Sequence, residues 1–174
     1  MLRVGHHLAR VTALDDHPAV HERQLVGDLV ELARDEPLPT VVETIDLAEA
    51  VDHAVERVRR RAPSLTFEVD VAPWVVRGEA GTLERAVTNL LDNAFKYNRP
   101  SGTIRVSLAP GPRLSVEDDG PGIPAAEREK VFERFYRCKS AGADIQGSGM
   151  GLALARAIAC RHGLSLDLAK SDGG

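Results

Sequence analysis

The chain has 174 residues, of which 43% are hydrophobic, a length and composition that suit one well-filled core with room for an appended element. A net charge of −4 and only 4% aromatic residues give neither the basic surface nor the stacking platforms of a nucleic-acid-binding protein. No apolar run approaches the roughly 20 residues that span a bilayer, and no signal peptide opens the chain. Cys138 and Cys160 lack partners at metal spacing, so we interpret them as reduced cysteines of a cytosolic protein.

The first predicted element is a helix over about residues 8–34. Its second half, AVHERQLVGDLVELAR, places apolar residues near one face, and the two prolines of DEPLP at 35–39 end it. The same pattern is also typical of a solvated amphipathic helix that has no special role. Beyond the break, the sequence predicts a strand at 40–45, a helix at 46–61 capped by Asp46, and short strands at 65–71 and 74–77.

The rest of the chain interleaves helices with strands. The predicted elements are a helix at 79–97, strands at 103–108 and 113–117 joined by the hairpin signal PGP, a short helix at 125–132, a helix at 148–162 and a strand at 164–169. The hairpin makes the sheet mixed. We therefore predict an α+β fold, a two-layer α/β sandwich whose mixed sheet of about five strands is covered on one face by three helices.

One edge of the 79–97 helix carries four polar side chains within an arc of about 100°. They are Asn89, Asn93, Lys96 and Tyr97. The neighbouring buried stripe contains Leu83, Ala86, Leu90, Leu91 and Ala94, and the solvent side contains Arg85, Thr88, Asp92 and Arg99. Side-chain amides at the border of a core usually line a binding site. This edge of the helix therefore predicts a pocket.

A second stretch, VEDDGPGIP at 116–124, directly follows a predicted strand. Gly120 and Gly122 permit a close approach of the backbone, and Asp118 is an acceptor held at the end of the strand. Taken alone, DGPG is typical of an ordinary acidic turn.

Two further stretches follow along the chain. VFERFYR at 131–137 has two phenylalanines three residues apart, which alone indicate core packing. QGSGMGLALARAIACRHG at 146–163 alternates Gly147, Gly149 and Gly151 before an Ala- and Leu-rich helix. Backbone N–H groups at such a helix start favour an anion, although a flexible cap has the same pattern. The glycines are not a dinucleotide fingerprint, because no strand immediately precedes them.

In this order, the four stretches resemble the ATP-binding domain of sensor histidine kinases, within the GHKL group shared with gyrase, Hsp90 and MutL. ERAVTNLLDNAFKY resembles the N box, EDDGPGIP the first glycine box, VFERFYR the F box and GSGMGLALAR the second glycine box. The resemblance covers about residues 40–170 and implies the catalytic part of a protein histidine kinase, with ATP and Mg²⁺ as cofactors.

The resemblance also implies site residues. Asn93 and Asn89 would offer oxygens to Mg²⁺, and Asn89 and Lys96 would be catalytic. Asp118 would accept a hydrogen bond from the adenine amino group, which selects adenine over guanine. The full nucleotide-binding set is Asn89, Asn93, Lys96, Tyr97, Asp118, Gly120, Gly122, Ile123, Arg134, Arg137, Gly147, Ser148, Gly149, Met150, Gly151 and Leu152. Residues 138–147 would form a mobile lid, anchored by the phenylalanines Phe132 and Phe135.

Position 89 discriminates among relatives of this kind. ATP-hydrolysing members of the group have a glutamate there that activates water, whereas Asn89 cannot act as a general base near pH 7. The nearby acids Glu84 and Asp92 point to other arcs of the helix. Phosphotransfer is therefore favoured over hydrolysis. Two alternatives stay open: a serine kinase or ATPase of the same fold, and a nucleotide-sensing pseudokinase module.

The expected phosphoacceptor is a histidine followed by an acid and soon by Thr-Pro, and none of the six histidines has that setting. We predict that residues 1–36 are a remnant of the second helix of a dimerisation hairpin and that 37–174 are the ATP-binding domain, lacking its last strand. Expected partners are the dimerisation domain that carries the acceptor and a response-regulator receiver domain. Nucleic acid and direct membrane contact are not expected. We expect a cytoplasmic monomer, whose full-length protein can be membrane-anchored with this domain on the cytoplasmic side.

Overall fold

The structure, a computed structural model, describes residues 7–12, 42–109, 113–138 and 148–170. Seven strands and three α-helices lie within these ranges. The strands are β1 (His7–Thr12), β2 (Glu43–Asp46), β3 (Thr66–Val71), β4 (Val75–Gly78), β5 (Thr103–Ala109), β6 (Arg113–Asp118) and β7 (Ser165–Lys170). The helices are α1 (Leu47–Arg61), α2 (Ala80–Tyr97) and α3 (Gly151–Arg161).

Five strands form the main sheet in the order β3-β5-β6-β1-β7. β3 and β5 run parallel, and the other pairs are antiparallel, so the sheet is mixed as predicted. β2 and β4 form a separate antiparallel pair. Along β5, Ile104, Val106 and Leu108 alternate with half-buried residues and are themselves buried, which gives the period-2 pattern of a sheet with one covered face.

The helices share one core with the sheet, and α2 packs against both α1 and α3. Leu83, Leu90 and Leu91 of α2 are almost completely buried in that core, as the apolar stripe predicts. The α+β prediction is confirmed by this arrangement. α2 is central in the helical layer, and its polar edge therefore lies beside α3.

Asp46 begins α1 as the sequence predicts. Its Oδ1 accepts hydrogen bonds from the N–H groups of Ala48 (3.0 Å) and Trp74 (3.1 Å), so one carboxylate caps the helix and holds the segment before β4. The Leu47 N–H donates to the Trp74 carbonyl (2.8 Å), which closes the same junction.

The helix predicted to start at about Leu8 is wrong for residues 8–12, because His7–Thr12 is a strand. β1 pairs antiparallel with both β6 and β7, so its backbone groups are satisfied on both sides. Pairing across a sheet overrides a local helical pattern, because sheet formation depends on neighbours that a single segment does not reveal. The rest of the predicted helix, residues 13–34, lies outside the described ranges, and its origin in a dimerisation hairpin stays a prediction.

Two smaller differences concern helix length. The short helix predicted at 125–132 is two 3₁₀ turns, Ala125–Glu127 and Lys130–Phe132. α3 begins at Gly151 and not at Ser148, because Gly149 has a φ of +71° that no α-helix contains. Within the described ranges, no helix is long and apolar enough to cross a bilayer.

Glu79 joins the start of α2 to the end of α3. It is 8% exposed and pairs with Arg161, and its side chain makes no capping hydrogen bond to α2. We expect Glu79→Ala to lower the free energy of unfolding by about 1 to 2 kcal/mol, because the substitution removes a largely buried carboxylate partner. Urea denaturation measures the change.

Glu56→Ala is the matched control, since Glu56 pairs with Arg59 in the same way but on the exposed face of α1. Its effect should stay within about 0.5 kcal/mol. Equal losses in the two variants would contradict a special role for the Glu79–Arg161 pair.

Candidate functional site

Two asparagine amides on α2 face the first residue of α3. A Cβ built on Gly151 would lie 3.5 Å from both Asn89 Oδ1 and Asn93 Nδ2, so the two amides lie within van der Waals range of this position. The Nδ2 atoms of Asn89 and Asn93 are buried without a hydrogen-bond partner among the described residues. An unpartnered buried amide costs about 1 to 3 kcal/mol, and native proteins usually fill such a position with water or ligand. The amides and Gly151 therefore outline a polar site between α2 and α3.

The acids nearest to Asn89 along α2 turn away from this site. The Arg57 guanidinium donates to Glu84 Oε1 and the Arg61 guanidinium donates to Asp92 Oδ1, both at 2.8 Å. Both arginines belong to α1, on the opposite flank of α2. Burial raises the pKa of Glu84, and the positive charge of Arg57 partly offsets that shift. Both carboxylates pair with arginines at the interface between α1 and α2. This agrees with the prediction that they point to other arcs of the helix than Asn89.

The α1 interface also corrects the predicted solvent side of α2. Thr88 and Asp92, expected to face water, are 1% and 6% exposed. The Thr88 hydroxyl donates to the Glu84 carbonyl (3.0 Å) and Asp92 meets Arg61, so both polar groups are satisfied beneath α1. A helical wheel considers α2 alone, so it could not show that α1 covers this face.

The turn after β6 lies against the C-terminal end of α2. A Cβ on Gly120 would lie 2.4 Å from the Tyr97 carbonyl oxygen, so the two backbones touch. The Gly120 N–H donates to Asp118 Oδ1 (2.7 Å), which fixes the carboxylate at the end of the strand. Gly122 has a φ of +80°, a left-handed conformation that favours glycine. The structure thus brings Asp118, Gly120 and Tyr97 together.

The Gly149 backbone packs on the segment that follows the second 3₁₀ turn. A Cβ there would lie 2.7 Å from the Tyr136 carbonyl oxygen and 2.8 Å from the carbonyl carbon of Phe135. Phe135 itself has a φ of +64° and is 57% exposed, so it is not the core residue that the spacing of the two phenylalanines indicates. Phe132 packs against the core as expected.

A side-chain hydrogen bond also holds this segment. The Tyr136 hydroxyl donates to Glu127 Oε2 (2.8 Å), and this hydrogen bond is the main reason why the pKa of Tyr136 rises to about 12.

The remaining predicted residues vary in placement. Met150 is buried directly before α3, and its N–H donates to the Ser148 hydroxyl (3.3 Å). Residues that are half-buried around the site are Lys96, Ile123 and Leu152. Arg134 and Arg137 are exposed, and their phosphate role stays a prediction. Gly147 and most of the predicted lid lie outside the described residues.

Sequence reasoning passed over Asp119, the second acid of DDGPG. It is 8% exposed and accepts hydrogen bonds from the Arg99 side chain (2.9 Å), the Thr103 N–H (3.0 Å) and the Arg105 side chain (3.2 Å). The doubled aspartate was the only signal in the sequence, because its partners are distant along the chain. Asp119 ties the turn after β6 to the connection between α2 and β5.

Stability should depend on pH through Asp119. Burial raises the pKa of Asp119, but the hydrogen bonds from Arg99, Thr103 and Arg105 more than offset that and lower the pKa to about 2. Because the folded pKa lies below the unfolded value near 4, the carboxylate stabilises the fold above that value. Its contribution, about 2 kcal/mol, should disappear as the pH falls from about 4 to 2. The difference in unfolding free energy between the wild type and Asp119→Asn should therefore shrink below pH 4. A difference that stays constant down to pH 3 in urea denaturation would contradict the shift.

The sheet with one helical layer, the facing amides and the two glycine turns together define an ATP-binding domain of the GHKL type. The chain belongs to the family of histidine kinase-, DNA gyrase B- and HSP90-like ATPases, whose family model matches residues 78–174, more than half of its length. The predicted family and the prediction of a histidine-kinase catalytic domain are thus confirmed.

The chain is similar to mycobacterial proteins named MprB. The signal transduction histidine-protein kinase/phosphatase MprB of Mycobacterium sp. (strain KMS) is 51% identical over 146 residues, which are 82% of this chain and 28% of that protein. MprB of Mycobacterium tuberculosis (strain ATCC 25177 / H37Ra) is 46% identical over 154 residues, 86% of this chain and 30% of that protein. The chain thus spans less than a third of the length of these curated relatives.

Solved structures agree with the fold. A mycobacterial sensor histidine kinase MprB matches with a TM-score of 0.65 at 37% identity, over 75% of this chain and 97% of that one. Full-length ShkA in complex with AMPPNP matches with a TM-score of 0.64 over 83% of this chain and 34% of that one. Its 22% identity supports the fold alone.

Proposed function

We propose that this chain binds Mg-ATP between α2, the turn after β6 and the start of α3, and donates the γ-phosphate to a histidine on a dimerisation domain. The observation that carries this proposal is the pair of buried amides facing Gly151, with an asparagine where hydrolysing relatives have a base. Such a pocket would hold the nucleotide without activating water.

The donor set suits magnesium. Amide oxygens are ligands that a hard cation accepts, and rotation of either amide brings its oxygen to where its buried nitrogen lies. We assign the metal to Asn93 and Asn89, and the phosphate charge to Lys96. When bound, the ion neutralises charge on the phosphates. In the described ranges, no three histidine, cysteine or acidic side chains gather into a competing metal site.

The nucleotide itself would be read by the two glycine turns. Asp118 would accept from the adenine amino group, with Gly120 and Gly122 letting the base approach the backbone and Tyr97 packing on the base or ribose. The backbone N–H groups of Gly149 and Gly151, at the positive end of α3, would meet the phosphates. The rest of the proposed lining is Ile123, Arg134, Arg137, Gly147, Ser148, Met150 and Leu152.

The proposed partners follow from the chemistry of transfer. Enzymes catalyse phosphoryl transfer mainly by positioning the reactants and by neutralising charge. The nucleophile would therefore have to be placed in line with the γ-phosphate by another domain. That domain would be the dimerisation hairpin with its acceptor histidine, and a receiver domain would take the phosphate next. Both reactions would take place in the cytoplasm.

A phosphotransfer assay in trans tests the proposal. The chain is mixed with the separately produced dimerisation domain of a mycobacterial relative, Mg²⁺ and ATP labelled on the γ-phosphate. We expect acid-labile, alkali-stable label on the dimerisation domain and little free phosphate. A dimerisation domain whose acceptor histidine is replaced by glutamine is the matched control and should stay unlabelled.

The other outcomes select the alternatives. Acid-stable label, or phosphate released at the same rate without the dimerisation domain, would favour a serine kinase or ATPase of the same fold. Tight ATP binding without any label would favour a module that only senses nucleotide.

A further inference from the structure

We propose that Asp119 is a positioning residue for adenine recognition: it holds the turn that carries Asp118 at a fixed place relative to the end of α2. The inference rests on the proposed function, since it concerns how the proposed adenine acceptor is kept in place. Asp119 does not itself contact the nucleotide in this proposal.

The first support is the geometry of the carboxylate. Asp119 Oδ2 accepts from Arg99 Nη2 (2.9 Å) and from the Thr103 N–H (3.0 Å), and Oδ1 accepts from Arg105 Nη1 (3.2 Å). Arg99 lies just beyond α2, whereas Thr103 and Arg105 lie on β5. One side chain thus connects the turn to both elements that flank it.

The second support is where the sheet ladder ends. Ile104 and Asp118 are the last paired residues of β5 and β6 on this side. After Asp118 the chain leaves the sheet, and the Asp119 carboxylate binds the N–H of Thr103 in place of a backbone carbonyl. The direction in which the turn departs is therefore set by a side chain and not by the ladder.

The third support is the close contact between the turn and the end of α2. The Gly120 backbone abuts the Tyr97 carbonyl, with 2.4 Å to a Cβ built there, and the Gly120 N–H binds Asp118 Oδ1. The turn is thus held both by its contact with α2 and by the Asp119 contacts. If the Asp119 contacts are lost, the turn can move, and the Asp118 carboxylate moves with it.

A charged carboxylate is needed for this task. Its two oxygens both accept, whereas an asparagine would turn an NH₂ group towards at least one of the three donors. Asp119→Asn keeps the size of the side chain and weakens the anchor, because at least one of the three contacts is lost. Arg99→Met is a milder second variant, because the Arg99 side chain is 66% exposed and its loss leaves the β5 contacts in place.

The test compares ATP with purine riboside triphosphate, which lacks the exocyclic amino group. Dissociation constants for both are measured by titration calorimetry with Mg²⁺, on folded protein well below its unfolding temperature. The wild type should prefer ATP by about tenfold or more, as expected for a hydrogen bond to a charged acceptor. Asp119→Asn should reduce that preference to less than about threefold, and Arg99→Met should reduce it by about twofold to threefold.

Arg60→Met is the control, since Arg60 is exposed on α1, and it should keep the wild-type preference. A residue that only stabilised the fold would lower both affinities by one factor and leave their ratio unchanged. An unchanged ratio in Asp119→Asn, or in Arg99→Met if the first variant does not fold, overturns the inference while leaving the proposed function intact. A wild type that binds neither nucleotide would reject the proposed function, and the inference with it.

Discussion

Replacing Asn93 with alanine is expected to weaken ATP binding in Mg²⁺ by about 10- to 100-fold. Asn93 shares the space in front of Gly151 with Asn89, and its buried Nδ2 has no hydrogen-bond partner among the described residues. A polar group kept in that state is explained by a ligand that satisfies it. Titration calorimetry of the variant with ATP, in Mg²⁺ and in EDTA, measures the effect.

The dependence of ATP binding on Mg²⁺ distinguishes a metal-binding role of Asn93 from a general loss of structure. In EDTA, the wild type and Asn93→Ala should bind ATP about equally weakly. Asp70→Ala, an exposed acid on the edge strand β3, is the control and should bind like the wild type in both conditions. Equal losses with and without Mg²⁺ would contradict a role of Asn93 towards the metal.

Gly120→Ala is expected to damage both the fold and the site. The new Cβ would lie 2.4 Å from the Tyr97 carbonyl oxygen and 2.5 Å from Asp118 Oδ1, contacts too short to persist. Because the first of these atoms is backbone, the turn must move away from α2 and take Asp118 with it. We expect a loss of about 2 to 3 kcal/mol in unfolding free energy and at least a tenfold loss in ATP affinity.

Gly81→Ala is the matched control for this change. Gly81 lies in the first turn of α2, and a Cβ there would meet nothing within 4 Å. Alanine should stabilise the helix by about 0.5 kcal/mol and leave ATP binding unchanged. Urea denaturation together with calorimetry measures both properties, and a Gly120→Ala protein that behaves like Gly81→Ala would contradict the close approach.

Features set by local periodicity could be predicted from the sequence. The apolar stripe and the polar edge of α2 follow from 3.6 residues per turn, and the structure places Asn89 and Asn93 on that edge, facing Gly151. The roles of Gly120 and Gly122 could be predicted from their place in a turn directly after a strand, because a close approach or a positive φ there leaves few other choices.

Features that depend on a distant neighbour could not be predicted. Asp92 is buried because Arg61 of α1 covers it, and Asp119 is anchored by residues 14 to 20 positions away along the chain. β1 is the largest such case, because it pairs with two strands more than 100 residues further on. No single-segment pattern contains these partners, so tertiary context decides them.

The most direct test of the central claim, that one site joins α2, the turn after β6 and the start of α3, is an NMR titration. Backbone and side-chain amide resonances of the ¹⁵N-labelled chain would be followed while a non-hydrolysable ATP analogue and Mg²⁺ are added. The largest shifts should fall on the Asn93 side chain and on the N–H groups of Gly120, Gly149 and Gly151, and the Asn93 shifts should require the metal. Shifts confined to α1 or to the β2–β4 pair, or no shifts at millimolar nucleotide, would contradict the proposed site.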